Sequence, residues 1–173
     1  TPAQHFAQVG WGGTGIELPS AATIWTAPAD AKLTPASPVT LTWANATGQT
    51  FAIRYQIDGD YMITVTQTVT NNGTGPVALR EIAQINRTDK TSSLDSWNVH
   101  AGPLGSFDEA VQFVPDYDEV AEAPGGVVKN TGKPDWLGFT DIYWMSALIP
   151  DASPASSDFR AMGKGIYLAN LFY

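Results

Sequence analysis

Apolar and polar side chains alternate along three consecutive segments in the first half of the chain. Residues 39–43, 51–57 and 61–70 place apolar side chains at most odd-numbered positions, with threonine filling most of the places between them. A period of two is the repeat of a β-strand with one covered face, so these segments are predicted to be consecutive antiparallel strands. The side chains predicted to be buried are Phe51, Ile53, Tyr55, Ile63, Val65 and Val69. The threonines of the third segment are predicted to lie on the other face.

Two turns are indicated around the third segment. Asp58 and Gly59 favour a two-residue hairpin turn, because such turns need positive φ angles and Asp-Gly adopts them at low cost. Residues 71–76, Asn-Asn-Gly-Thr-Gly-Pro, predict the next turn, and residues 77–87 the strand that follows.

Helical patterns are sparse, since 12 prolines and 16 glycines interrupt the chain. The best candidate for a helix or an irregular loop is the segment 108–123, which Pro115 divides. The sequence therefore predicts an all-β fold, an antiparallel sandwich with little helix. A chain of 173 residues is most simply one domain that can bury a core without cross-links.

Composition excludes several functions. The chain has no cysteine, which rules out disulfides and thiolate-bound metal. Its net charge of −8 opposes binding to nucleic acid and flat docking on anionic lipid. It shows neither a signal peptide nor an apolar stretch of about 18 residues, so neither a membrane span nor an export signal is predicted. It begins at Thr1 without a methionine, and we expect a fragment of a longer protein.

Two motifs could carry chemistry, and neither is complete. Gly10 to Gly15 fit the spacing of a dinucleotide-binding loop, but Pro19 interrupts the helix that must follow, so a loop without cofactor is predicted. His5 and His100 are too few for a zinc site of three or four ligands. His5 is expected in a disordered end and His100 to be an ordinary hydrogen-bonded histidine. No catalytic, metal-binding or cofactor-binding residue is predicted, and the chain is not predicted to be an enzyme.

The densest group of acidic residues is formed by Asp116, Asp118, Glu119 and Glu122. Calcium could use such oxygens, but the spacing lacks the ordered ligand pattern of a calcium loop, so a solvated loop is favoured. A pair of carboxylates that hydrolyses glycosides is an alternative that the sequence leaves open, because the sequence does not set the distance between them.

The segment 136–150 is rich in aromatic residues and ends at a proline. Aromatic content favours strands, so it predicts two short buried strands or one long bent one. Trp144 is expected to be buried there, and replacing it with alanine to cost about 3–5 kcal/mol.

Four segments resemble one family. The runs 136–150 (WLGFTDIYWMSALIP), 33–43 (LTPASPVTLTW), 57–65 (IDGDYMITV) and 100–105 (HAGPLG) are similar to segments of the large periplasmic domain of the bacterial YidC insertase, especially its alphaproteobacterial members. Ile142 departs from the family, which usually has lysine at that place.

The resemblance implies a β-supersandwich, similar in outline to sugar-mutarotase and carbohydrate-binding folds. It implies a single non-catalytic periplasmic domain over residues 1–173, although residues 1–24 and 162–173 do not take part in the resemblance. It places the domain on the periplasmic side of the bacterial inner membrane, attached through transmembrane segments outside this chain.

The implied partners are Sec translocon components and nascent membrane proteins that the insertase inserts and folds. Because loops often carry recognition, Asp116, Asp118, Glu119 and Glu122 are the predicted partner-docking residues. The alternative is a secreted carbohydrate-binding or carbohydrate-processing β-sandwich, whose six tryptophans and six tyrosines could line a sugar platform.

Overall fold

The computed structural model describes residues 4–88, 100–113, 115–151 and 154–173. These residues form twelve strands, one α-helix and one 3-10 turn. The strands of the first half are β1 (His5–Gly13), β2 (Val39–Ala44), β3 (Gln49–Ile57), β4 (Ile63–Asn71) and β5 (Leu79–Thr88). The remaining elements are β6 (Gly102–Phe107), β7 (Ala110–Gln112), α1 (Tyr117–Glu122), the 3-10 turn Pro124–Gly126, β8 (Val127–Lys129), β9 (Pro134–Thr140), β10 (Met145–Leu148), β11 (Ser156–Ala161) and β12 (Ile166–Phe172).

The strands form three sheets in the described part of the chain. Their strand orders are β1-β5-β12-β11-β8, β10-β9-β6-β7 and β2-β3-β4. The predicted all-β, mainly antiparallel fold is confirmed. The one described α-helix is far too short to cross a membrane, as is the 3-10 turn.

Backbone contacts divide the chain into two compact units. One consists of Thr1–Val9 and Ile82–Tyr173, and the other of Gly10–Glu81. Strands β1 and β5 each contribute residues to both units. That residues 1–173 behave as a single domain stays a prediction.

The sheet β2-β3-β4 of the second unit has the predicted antiparallel order. Phe51 and Ile53 are fully or almost fully buried, and the threonines of β4 are exposed, as the alternation predicts. Tyr55, Val65 and Val69 are only half-buried. Ile63 is 54% exposed, so its predicted burial is wrong. It begins an edge strand opposite Ile57, the last residue of β3, where the sheet ends.

The turn between β3 and β4 is longer than predicted. It occupies residues 58–62, and the Asp58 carboxylate accepts hydrogen bonds from the N–H groups of Asp60 (2.8 Å) and Met62 (3.0 Å). Tyr61 takes the left-handed backbone conformation, with φ 66°. The two-residue turn is wrong because the aspartate side chain organises a wider loop. The predicted turn at residues 71–76 is confirmed, and β5 follows it from Leu79.

The glycine-rich segment is partly strand. Residues 10–13 belong to β1, and only residues 14–16 bend away, so the predicted loop begins later than expected. Glycine is needed at position 13, since a Cβ atom there would lie 2.9 Å from the carbonyl oxygen of Ala78.

The core of the first unit lies under β9, β11 and β12. Its fully or almost fully buried side chains are Ile85, Phe107, Val120, Leu137, Phe139, Phe159, Ala169 and Leu171. Strands β9 and β10 form an antiparallel hairpin, which confirms two short strands in the segment 136–150. Only β9 is deeply buried. Trp144 is 37% exposed and Tyr143 is 93% exposed, so the predicted burial of Trp144 is wrong. Both lie at the end of the hairpin, beside an edge strand.

Helix α1 begins directly after Pro115 and Asp116. The Asp116 side chain accepts a hydrogen bond from the N–H of Glu119, and the Glu119 carboxylate accepts one from the N–H of Asp116, both at 2.8 Å. This reciprocal capping box stabilises a helix of six residues.

Candidate functional site

A buried ion pair joins β5 to the β9–β10 turn in the first unit. Arg87 continues the inward-facing positions of Ala83 and Ile85 on β5, and its guanidinium lies 2.6 Å from a carboxylate oxygen of Asp141. The two side chains are only 5% and 9% exposed. The other Asp141 oxygen accepts the N–H of Ile142 at 2.7 Å. Asp141 therefore attaches the β9–β10 turn to strand β5.

The side chains of Trp144, His5 and Ser146 lie beside this ion pair. The Arg87 guanidinium carbon lies 4.7 Å from the centre of the Trp144 ring, within cation–π range. The His5 ring is 4.3 Å from the Trp144 ring, and His5 Nε2 is 2.7 Å from Ser146 Oγ. We call Arg87, Asp141, Trp144, His5 and Ser146 the Arg87 cluster.

The placement of His5 corrects a sequence prediction. It begins strand β1 and contacts the β9–β10 hairpin, instead of lying in a disordered end. Residues 141 positions apart in the chain thus form a hydrogen bond. The cluster attaches the first strand to the hairpin.

Burial and the neighbouring charges keep His5 of the cluster, and Tyr117 outside it, neutral near pH 7. Burial, and then the positive charge of Arg87, lower the pKa of His5, and Asp141 opposes them. Burial raises the pKa of Tyr117, which packs on Tyr167 at 4.5 Å, to about 12. The contacts of the cluster hold structural elements together.

The lowered pKa of His5 predicts a pH-dependent stability. Between about pH 7 and about pH 5.5 the unfolded chain binds more protons at His5 than the folded chain, because only the unfolded imidazole keeps its ordinary pKa. The free energy of unfolding should therefore fall as the pH falls through this range. Urea unfolding at both pH values measures it, and His5→Gln should flatten the dependence. His100→Gln is the matched control; an unchanged slope in His5→Gln would contradict the assignment.

His100 is an ordinary hydrogen-bonded histidine, as predicted. Its Nδ1 lies 2.7 Å from Thr140 Oγ1, and its ring is 5.3 Å from that of Phe113. Among the described residues, no three His, Asp or Glu side chains are grouped so that they could hold a metal ion.

The four predicted docking residues do not share one role. All four are exposed, but Asp116 and Glu119 are engaged in the capping box, whereas Asp118 and Glu122 lie outside it. Their part in docking stays a prediction. The capping pattern, an aspartate followed three residues later by a glutamate, was visible in the sequence.

Sequence reasoning also missed the pairing of Arg87 with Asp141. An arginine at an inward-facing position of a strand is a signal, since a buried charge requires a partner. Asp141 is the single charged residue in the segment 136–150. Nothing local identified the two as partners.

Comparison with known proteins identifies the family of residues 1–172. The sequence model of the YidC periplasmic domain family matches residues 1–172. The chain belongs to this family. The match includes residues 1–24 and most of 162–173, where the sequence motifs gave no resemblance.

Individual proteins that are similar to this chain carry the same family name. The chain is 34% identical over 167 residues to a protein of Zymomonas mobilis, covering 95% of this chain and 29% of the relative. It is 40% identical over 177 residues to one of Ruegeria sp. (strain TM1040), covering 94% and 28%. It is 33% identical over 163 residues to one of Rickettsia bellii, covering 92% and 29%. All three are named membrane protein insertase YidC. The chain therefore spans less than a third of these YidC relatives.

Proposed function

We propose that this chain is the non-catalytic periplasmic domain of a membrane protein insertase, and serves there as a docking and spacing module. It would stand on the periplasmic side of the bacterial inner membrane, held by transmembrane segments outside this chain. The observation that carries the proposal is the family match over residues 1–172. The insertase name belongs to the relatives, and its transfer to this chain is the proposal.

The chemistry of the Arg87 cluster supports a non-catalytic role. Arg87 is buried and paired with Asp141, so its charge is compensated inside the folded chain. The pKa of His5 is lowered and that of Tyr117 raised, so both are neutral at neutral pH. The contacts of these residues join β1 and β5 to the β9–β10 hairpin, which supports a structural role.

The proposed partners are Sec translocon components and nascent membrane proteins, reached through the full-length insertase. Asp118 and Glu122 offer a surface for a basic partner, since both are exposed and lie four residues apart on one side of α1. A partner with lysine or arginine at its surface would match the charge of these two carboxylates.

Site-specific crosslinking in the full-length insertase tests this surface. Photoreactive residues at Asp118 and Glu122 should crosslink to Sec components, because neither side chain is needed for the capping box. Probes at Arg54 and Gln56 on β3 are the controls. Crosslinks from the controls and none from α1 would remove this surface as the docking site.

Calorimetry tests the carbohydrate alternative. The purified chain should show no sub-millimolar binding to a panel of simple sugars and should hydrolyse no glycoside. Binding or hydrolysis would defeat the docking role and favour a carbohydrate-processing β-sandwich. The family match favours the insertase domain.

A further inference from the structure

The β9–β10 turn and the strand after it form a segment without charge that is exposed at four of its apolar side chains. None of the nine residues 142–150 is charged. Tyr143 is 93% exposed, Met145 49% and Ile149 57%, and Trp144 is more than one third exposed. Contiguous exposed apolar patches on a protein surface mark protein or membrane contact sites. We call residues 142–145 the aromatic tip.

Contacts of Asp141 and Trp144 with the rest of the first unit fix the backbone of the aromatic tip. Asp141 N–H donates to the Trp144 carbonyl at 2.8 Å, which closes the turn, and the Asp141 carboxylate is fixed by the buried Arg87. Trp144 rests against the Arg87 guanidinium at 4.7 Å. Tyr143 is therefore presented to solvent on a fixed turn, so little conformational entropy would be lost when it binds.

Two other groups of exposed apolar side chains have charged neighbours. Tyr61 is 95% exposed beside Met62 and Ile63, yet Asp58 and Asp60 lie in the same loop. Val111 and Phe113 follow Asp108 and Glu109. Carboxylates are unfavourable in the interfacial layer of a bilayer, where they would lose hydration, so these two sites suit a lipid surface poorly.

We propose that the aromatic tip enters the interfacial layer of a phospholipid bilayer. Tryptophan and tyrosine favour the headgroup region, where a ring is desolvated while its polar edge stays hydrated. The proposal rests on the proposed function, which places the domain beside a membrane. Net charge −8 repels an anionic surface, so contact through one uncharged tip is favoured over contact through a broad face.

The absence of cysteine allows a direct test. Tyr143→Cys, labelled with the polarity-sensitive dye NBD, gives one reporter at the tip, and Tyr61→Cys gives the matched control on an equally exposed tyrosine. Each labelled chain is attached by a C-terminal hexahistidine tag to phosphatidylcholine vesicles that contain a nickel-chelating lipid. Attachment supplies the high effective concentration that a membrane anchor would supply.

The NBD emission at position 143 should shift to the blue on vesicles, and that at position 61 should not. Replacing part of the phosphatidylcholine with phosphatidylglycerol should reduce the shift. Equal shifts at both positions, or none at 143, would overturn the proposal. A shift at 143 caused by unlabelled chain without vesicles would instead assign the tip to a second copy. These outcomes leave the crosslinking and calorimetric tests of the proposed function unaffected.

Discussion

Replacing Arg87 with alanine is expected to lower the free energy of unfolding by about 3–5 kcal/mol, because Asp141 is left as an uncompensated buried charge. Both side chains are less than 10% exposed, and their charged atoms lie 2.6 Å apart. Urea unfolding at neutral pH measures the loss. A loss below about 1 kcal/mol would mean that water reaches the pair as it reaches surface ion pairs.

The double variant Arg87→Met with Asp141→Leu is the matched control for this prediction. An apolar pair of similar volume needs no charge compensation, and such replacements of buried ion pairs are often neutral or stabilising. The double variant should therefore be more stable than Arg87→Ala, apart from the lost hydrogen bond to the N–H of Ile142. If the double variant were as unstable as the single one, the loss would come from packing and not from charge.

Replacing Phe139 with alanine is expected to cost about 3–5 kcal/mol, because it leaves a closed cavity in the core. Phe139 is fully buried and packs on Phe159 and Tyr117, with ring centres 6.2 and 6.1 Å away. Trp144→Ala should cost only about 1–2 kcal/mol, since the ring is already partly exposed and water can fill the space that it leaves beside Arg87 and His5. Denaturant unfolding of both variants measures the difference. Equal losses would place Trp144 in the core.

The expected losses for Phe139→Ala and Trp144→Ala differ because the two parts of the hairpin have different roles. Strand β9 supplies core side chains, whereas the turn after it supplies the anchor Asp141 and the exposed aromatic tip. A variant of Tyr143 should thus leave stability almost unchanged, since its side chain is 93% exposed. Stability and surface contact can be altered independently in this segment.

The regular strands were the most predictable part of the fold. The alternation in residues 39–70 gave β2, β3 and β4, the exposed threonine face and the burial of Phe51 and Ile53, because strand geometry imposes a period of two on any half-covered sheet. The wider turn at Asp58 was not predicted. There a side-chain hydrogen bond to the backbone overrode the preference of the Asp-Gly dipeptide.

The candidate site was less predictable. Arg87 and Asp141 are 54 positions apart, and His5 and Ser146 are 141 apart, so no local pattern connects either pair. The capping residues Asp116 and Glu119 were visible as an acidic group, but their local pairing was not recognised.

The sequence by itself determined an all-β chain and a resemblance to the family to which it belongs, since periodicity and motif are local properties. The tertiary structure alone decided which charges are paired and which aromatic side chains are covered. Those outcomes depend on the order and register of strands that are distant in the chain. Trp144 shows the reason: an aromatic residue in an apolar run is buried only where another layer covers it, and the end of the β9–β10 hairpin is left partly open.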